Sequence, residues 1–141
     1  KINDQNLLDL YQRAHRVMDF RAENSSLFVD LIRGLVRAKN ISEKAENNLE
    51  IDAGLLVEDE EKELYKAFSQ REAEIKNNFA SSQYKKGFYL LVELKEYIDA
   101  FLDNVMVMVD DSEVKNNRLA LLSLIADLMT DVMDIEEIAL D

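Results

Sequence analysis

A chain of 141 residues, 48% hydrophobic and 33% charged, holds enough apolar material for one buried core, which excludes disorder as its main state. With no cysteine and one histidine, disulfide frameworks, thiol nucleophiles and tetrahedral zinc sites have no residues to build them. A net charge of -12 sets the chain against polyanions unless its cations are segregated, and they are: residues 1–45 carry eight basic against six acidic side chains, residues 46–141 nine against twenty-three.

No window approaches the roughly 18 consecutive apolar residues of a membrane span, and no basic-then-apolar leader opens the sequence. A soluble chain with no membrane partner is expected. The opening on Lys1 rather than methionine suits a single domain, residues 1–141, excised from something longer. Zero prolines and three glycines stand against roughly seven and ten at average usage, so long uninterrupted helices follow.

In chain order, the spacing of Leu7, Leu8, Tyr11, Ala14 and Met18 predicts a first helix over 6–20. Ser25 or Ser26 is placed to cap a second, with Phe28, Leu31, Ile32, Leu35 and Val36 on its buried face. The pattern lapses between Asn47 and Val57 around Gly54. The acidic run Glu58 to Glu61 then suits a solvated first turn, favoured by the helix dipole, of a third helix carrying Leu64, Tyr65, Phe68, Ile75 and Phe79. Ser81 or Ser82 is the expected cap of a fourth, central helix, whose stripe Tyr84, Phe88, Leu91, Leu94, Ile98, Phe101 steps by three or four throughout. The run Val105 to Val109 has no second strand to pair with and reads as an extended, buried connector. Ser112 is expected to cap a fifth helix with Leu121, Ile125, Leu128 and Val132 inside. The predicted fold is an all-α bundle of about five helices.

Catalytic constellations are missing. A carboxylate-bridged di-metal bundle needs Glu-x-x-His on two helices, whereas His15 has Gln12 three residues before it and Met18 three after. Gly-rich phosphate loops and nucleophile elbows are absent, so neither a catalytic residue, a metal ligand nor a cofactor site is assigned. The second helix is more informative. Arg33, Arg37, Asn40 and Lys44 follow one another at four, three and four residues, a row about 16 Å long opposite Phe28, Leu31 and Leu35. Such a row is able to meet successive phosphates, with the amide left to read a base edge; a merely solvated helix face has the same pattern. Arg118 poses a different problem, since it lies on the apolar stripe of the last helix near its N-terminus, where the dipole disfavours a cation. Asp99, Asp103 or Asp111 is expected to offset it, making Arg118, with Asp103 the leading partner, a structural clasp between the last two helices. The alternative is a nucleic-acid contact. Met106, Met108, Met129 and Met133 read as core filler.

The segment FLDNVMVMVDDSEVKNNRLALL, Phe101 to Leu122, closely resembles the C-terminal signature of the β subunit of bacterial glycyl-tRNA synthetase, which ends in a helical anticodon-binding domain of the DALR type. The match takes in Asp103 to Met108 and Asn117-Arg118-Leu119, then Val132, Asp134 and Ile135. Weaker likenesses at Arg37, Asn40, Ile41, Leu55-Leu56, Glu61 and Leu64 extend it over about residues 7–135. Val36, Ala38 and Lys115 depart from the usual residues. The resemblance implies a noncatalytic, cytoplasmic domain that holds the anticodon stem-loop of glycine tRNA and works with the remainder of the β subunit. ATP and Mg would serve glycine activation on a separate α subunit. Arginyl-tRNA synthetase carries a related domain, but its C-P-V-L-like connector is replaced here by VMVM. Composition alone also fits a helical protein-protein adaptor binding a partner helix in an apolar groove.

Overall fold

The computed structural model describes residues 22–45 and 50–140. Over them run four helices and no strand: α1 (Ala22–Ser42), α2 (Asp59–Ala80), α3 (Tyr84–Asn104) and α4 (Ser112–Leu140), with one short 3-10 turn at Ala53–Leu55 before α2. The predicted first helix, with His15 and Met18, lies outside the described residues, as do the side chains of Phe28, Ile32 and Met133.

The apolar periodicity acts as expected. Leu31 and Leu35 of α1, Leu64, Phe68, Ile75 and Phe79 of α2, the whole α3 stripe from Tyr84 to Phe101, and Leu121, Ile125, Leu128 and Val132 of α4 form one buried cluster. Each large side chain so buried contributes about 1.5–3 kcal/mol of transfer free energy. The turn at 81–83 makes α2 and α3 an antiparallel hairpin, closed by Arg71: its guanidinium lies 3.3 Å from Glu93 and 5.5 Å from the centre of the Tyr97 ring. Close approach is possible because position 87 is glycine. A Cβ there would fall 2.3 Å from Phe79 Cε2.

Pairings between the other helices fix their directions. Gly34 lies against Lys95 and Asp99, and Arg37 reaches Leu102 and Asp103, so α1 and α3 point the same way. Glu61 meets Arg118 and Lys76 meets Asp131, so α2 and α4 run together in the opposite sense. The ends of α1 and α3, the starts of α2 and α4, and the connecting residues 43–45, 50–58 and 105–111 therefore gather at one end of the bundle.

Helix boundaries correct several expectations. Ser25 and Ser26 are helical residues within α1 and not caps ahead of it. Neither Ser81 nor Ser82 caps α3: Ser81 closes α2, Ser82 takes a left-handed φ of 61°, and the residue before α3 is Gln83, whose side chain makes no capping bond. Ser112 is displaced as a cap by Asp111, whose carboxylate accepts from the N–H groups of Glu113 at 3.1 Å and Val114 at 3.2 Å. A carboxylate does this better than a hydroxyl at the positive end of a helix. The connector leaves α3 extended at Val105 but then bends at Val107 and Met108, where the Val109 N–H donates to the Val107 carbonyl at 3.0 Å, and it is only half buried. Val105 and Val107 face inward, while Met106 and Met108 are exposed and are not core filler; Met129 is.

Candidate nucleic-acid interface

The outer face of α1 is a consequence of its inner one. With Leu31, Leu35 and Ala38 committed to the core, a period of 3.6 residues turns Asp30, Arg33, Arg37 and Asn40 to solvent. Arg33 is 77% exposed and stands 3.6 Å from Asp30, one turn back. Arg37 is 53% exposed; its Nη1 donates to Asp103 Oδ1 at 3.3 Å and its Nη2 to the Leu102 carbonyl at 3.4 Å. Asn40 is exposed. Lys44 falls two residues beyond the end of the helix, in a turn where its own N–H donates to the Ile41 carbonyl at 3.1 Å, and the described residues offer its ammonium no ion pair. Thus Arg33, Arg37 and Asn40 share one helical face, whereas Lys44, predicted to extend the same row, lies in the turn beyond the helix. The two arginines are partly neutralised by neighbouring carboxylates, which the spacing alone did not disclose.

Arg118 is buried at 6%, but its carboxylate partner is none of the expected three. Nε and Nη2 donate to Glu61 Oε1 at 3.0 and 2.8 Å, and Nη1 donates to the Met106 carbonyl at 2.6 Å. Asp103 pairs with Arg37, Asp99 with Lys95, and Asp111 caps α4. The clasp therefore ties α4 to the start of α2 and to the connector, rather than to α3. Glu61 is the geometrically favoured partner because it is the N3 residue of α2, completing a capping box with Glu58, whose N–H it accepts at 3.1 Å. Its carboxylate thus meets both a helix dipole and a guanidinium, which compensates its complete burial. The acidic run 58–61 is accordingly not solvated throughout. The Glu-x-x-Glu spacing was the signal available in the sequence, and the unpartnered arginine on an apolar stripe was the other half.

Asn117 entered the sequence reading only as part of the family match, with no role assigned to it. Buried at 3%, it accepts the Asp52 N–H at 2.7 Å and donates to the Asp52 carbonyl at 3.0 Å, clamping the connector ahead of α2 onto α4. Asn117, Arg118 and Leu119 therefore have three structural tasks in a row: a loop clamp, an ion-pair clasp and a core contact. Among the described residues no group of acidic or histidine side chains is arranged to hold a metal ion, and no helix is long and apolar enough to cross a membrane. What this end of the bundle offers instead is an exposed mixture of cations, amide, carboxylates and apolar side chains on a frame fastened by the Arg118–Glu61 pair and the Asn117 clamp.

Comparison with known proteins decides the family, because residues 31–139 match the DALR anticodon binding domain. The chain belongs to that family. The domain is 48% identical over its whole length to the "Glycine--tRNA ligase beta subunit" of Halothermothrix orenii, covering 21% of that protein. It is 37% identical over 133 residues to the protein of the same name from Sulfurihydrogenibium sp., covering 94% of this chain and 19% of the relative. With that of Shewanella sediminis it shares 43% over 101 residues, 70% of this chain and 15% of the relative. The domain spans about a fifth or less of the length of these curated relatives.

Proposed function

We propose that this chain is the anticodon-binding domain of a glycine–tRNA ligase β subunit, holding the anticodon stem-loop of glycine tRNA while aminoacylation proceeds elsewhere. The observation that carries this reading is the 48% identity, along all 141 residues, with a protein named as that subunit. The remainder of the β subunit and an α subunit are its partners, ATP and Mg belong to the α-subunit chemistry, and the assembly works in the cytoplasm. The domain itself supplies no catalytic group.

Its part is positional. Arg33, Arg37 and Lys44 contact phosphates along one side of the RNA, and the Asn40 amide meets a base edge. Arg33 exchanges its Asp30 partner for a phosphate, whereas Arg37 meets a phosphate while keeping its hold on Asp103. A titration of the intact ligase with glycine tRNA and an unrelated tRNA tests the reading: preferential binding of glycine tRNA is expected, and equal affinities refute it. Alanine at Arg33, Arg37 or Lys44 should make the slope of log affinity against log salt shallower by about 0.7 for each contact to loop nucleotides. Asn40→Ala should leave that slope unchanged and reduce discrimination among anticodons.

A further inference from the structure

The connector after α3 presents an arrangement that neither the core nor the phosphate row requires. Along Val105 to Met108 the two valines are buried at 7% and 8%, while Met106 and Met108 stand 72% and 46% exposed. A long apolar side chain held in water forfeits the gain that burial would bring. Met106 is nonetheless fixed in place, because its carbonyl is gripped at 2.6 Å by Arg118, itself buried and locked on Glu61. Three residues earlier Asp103 is oriented from the other side: Arg37 donates to Oδ1 at 3.3 Å and to the preceding carbonyl, of Leu102, at 3.4 Å. Arg37 is Asp103's one partner among the described residues, and it takes Oδ1 alone, leaving Oδ2 without a hydrogen bond on a side chain 65% exposed. Asp110 and Asp111, later in the same connector, are exposed too, so the connector carries carboxylates that favour groups able to donate hydrogen bonds.

We propose that Asp103 and Met106 read one unstacked cytosine of the anticodon, the base lying on the methionine while its N4 amino group donates to Asp103 Oδ2. The inference rests on the glycine-tRNA reading above: glycine codons begin with two guanines, so their anticodons contain two adjacent cytosines. Cytosine presents an amino donor at the position where uracil presents a carbonyl acceptor, which a carboxylate rejects. Bases in single-stranded loops are splayed out and read through stacking and edge contacts, and a polarisable thioether side chain packs against such a face. Arg37 then stands at the junction, on the phosphate row with one edge of its surroundings and against the base-reading carboxylate with the other.

The test uses the intact ligase containing this domain, titrated with glycine tRNA of anticodon GCC and with transcripts carrying uridine in place of either cytosine. Wild type is expected to prefer GCC. Asp103→Asn, whose amide offers an acceptor or a donor, should narrow the preference for cytosine over uridine by about tenfold at one of the two positions. Met106→Ser should weaken all transcripts by a common factor. Thermal midpoints of both variants should match wild type. If wild type selects GCC and Asp103→Asn keeps the same preference, the inference falls and the proposed function stands. An equal loss on every transcript together with a lowered midpoint for Asp103→Asn would also overturn it, by making the residue structural. Failure of wild type to prefer glycine tRNA at all would remove the reading on which the inference rests.

Discussion

Replacing Arg118 by methionine isolates the buried clasp, since the two side chains are similar in length and the new one is apolar. The variant would leave Glu61, fully buried, without the one cation that the described residues offer it, and among those residues Glu61 Oε2 already has no hydrogen-bond partner. The Met106 carbonyl would lose its 2.6 Å donor as well. Breaking a buried pair by removing one partner costs about 3–5 kcal/mol, mostly from the abandoned charge rather than from the pair's net worth. That figure corresponds to a fall in thermal midpoint of about 10–20 °C for a domain of this size. Urea melts give the free energy directly, and the second substitution Glu61→Gln separates the causes. It removes the stranded charge but keeps an acceptor for the Glu58 N–H, so Arg118→Met with Glu61→Gln should recover at least about half of the loss. A cost below about 1 kcal/mol for Arg118→Met, or no recovery in the double variant, would refute the account of the clasp as a charge-compensating contact.

Three further outcomes follow from the packing and the charges. Gly87→Ala places a Cβ 2.3 Å from the ring of Phe79, itself buried at 4%, so overpacking of about 1–3 kcal/mol should exceed the helix-propensity gain of about 1 kcal/mol and lower the thermal midpoint. Asn117→Ala strands the Asp52 N–H and carbonyl, which should cost about 1–3 kcal/mol and raise amide exchange at Asp52 and its neighbours before α2. Burial and the neighbouring charge of Asp131 raise the pKa of Asp127 above its ordinary 3.8, with Lys76 opposing, so the native state favours the protonated carboxyl. This contribution is present below the ordinary carboxylate pKa and is lost as pH rises through the raised one. Asp127→Asn should therefore raise the melting midpoint at neutral pH, and the gain should vanish in acid.

What could be read from the sequence was what depends on neighbours along one helix. The three-four stepping of Tyr84 to Phe101 names its buried face unaided, because a helix without proline has no other way to hide those side chains. Caps were less legible. Ser112 and Asp111 are adjacent good candidates, and only the backbone path decides that Asp111 is one residue outside the helix. Partners across the fold were not legible at all: Arg118 announced that it needed a carboxylate, but Glu61 lies 57 residues away and its selection follows from which helix starts beside α4. The exposure of Met106 and Met108 has the same origin. An apolar run of five is indistinguishable from a buried strand until the core is seen to accept alternate side chains only.

The distribution of charge bears on how such a domain holds RNA. Seven of its thirteen described cations are already matched: Arg33 with Asp30, Arg37 with Asp103, Lys39 with Glu43, Arg71 with Glu93, Lys76 with Glu72 and Asp131, Lys95 with Asp99, and Arg118 with Glu61. With a net charge of -12 as well, long-range attraction to a polyanion is weak, and nonspecific RNA binding is correspondingly suppressed. Affinity must then come from short-range contacts that form only when a loop of the right bases is seated. The frame meets that demand. A buried ion pair, a capping box and an amide clamp converge on the end of the bundle where the exposed side chains stand, so those side chains are held at fixed positions before RNA arrives. On the proposed anticodon-binding reading, the acidic surface that argues against general RNA binding is what would let a few oriented groups discriminate.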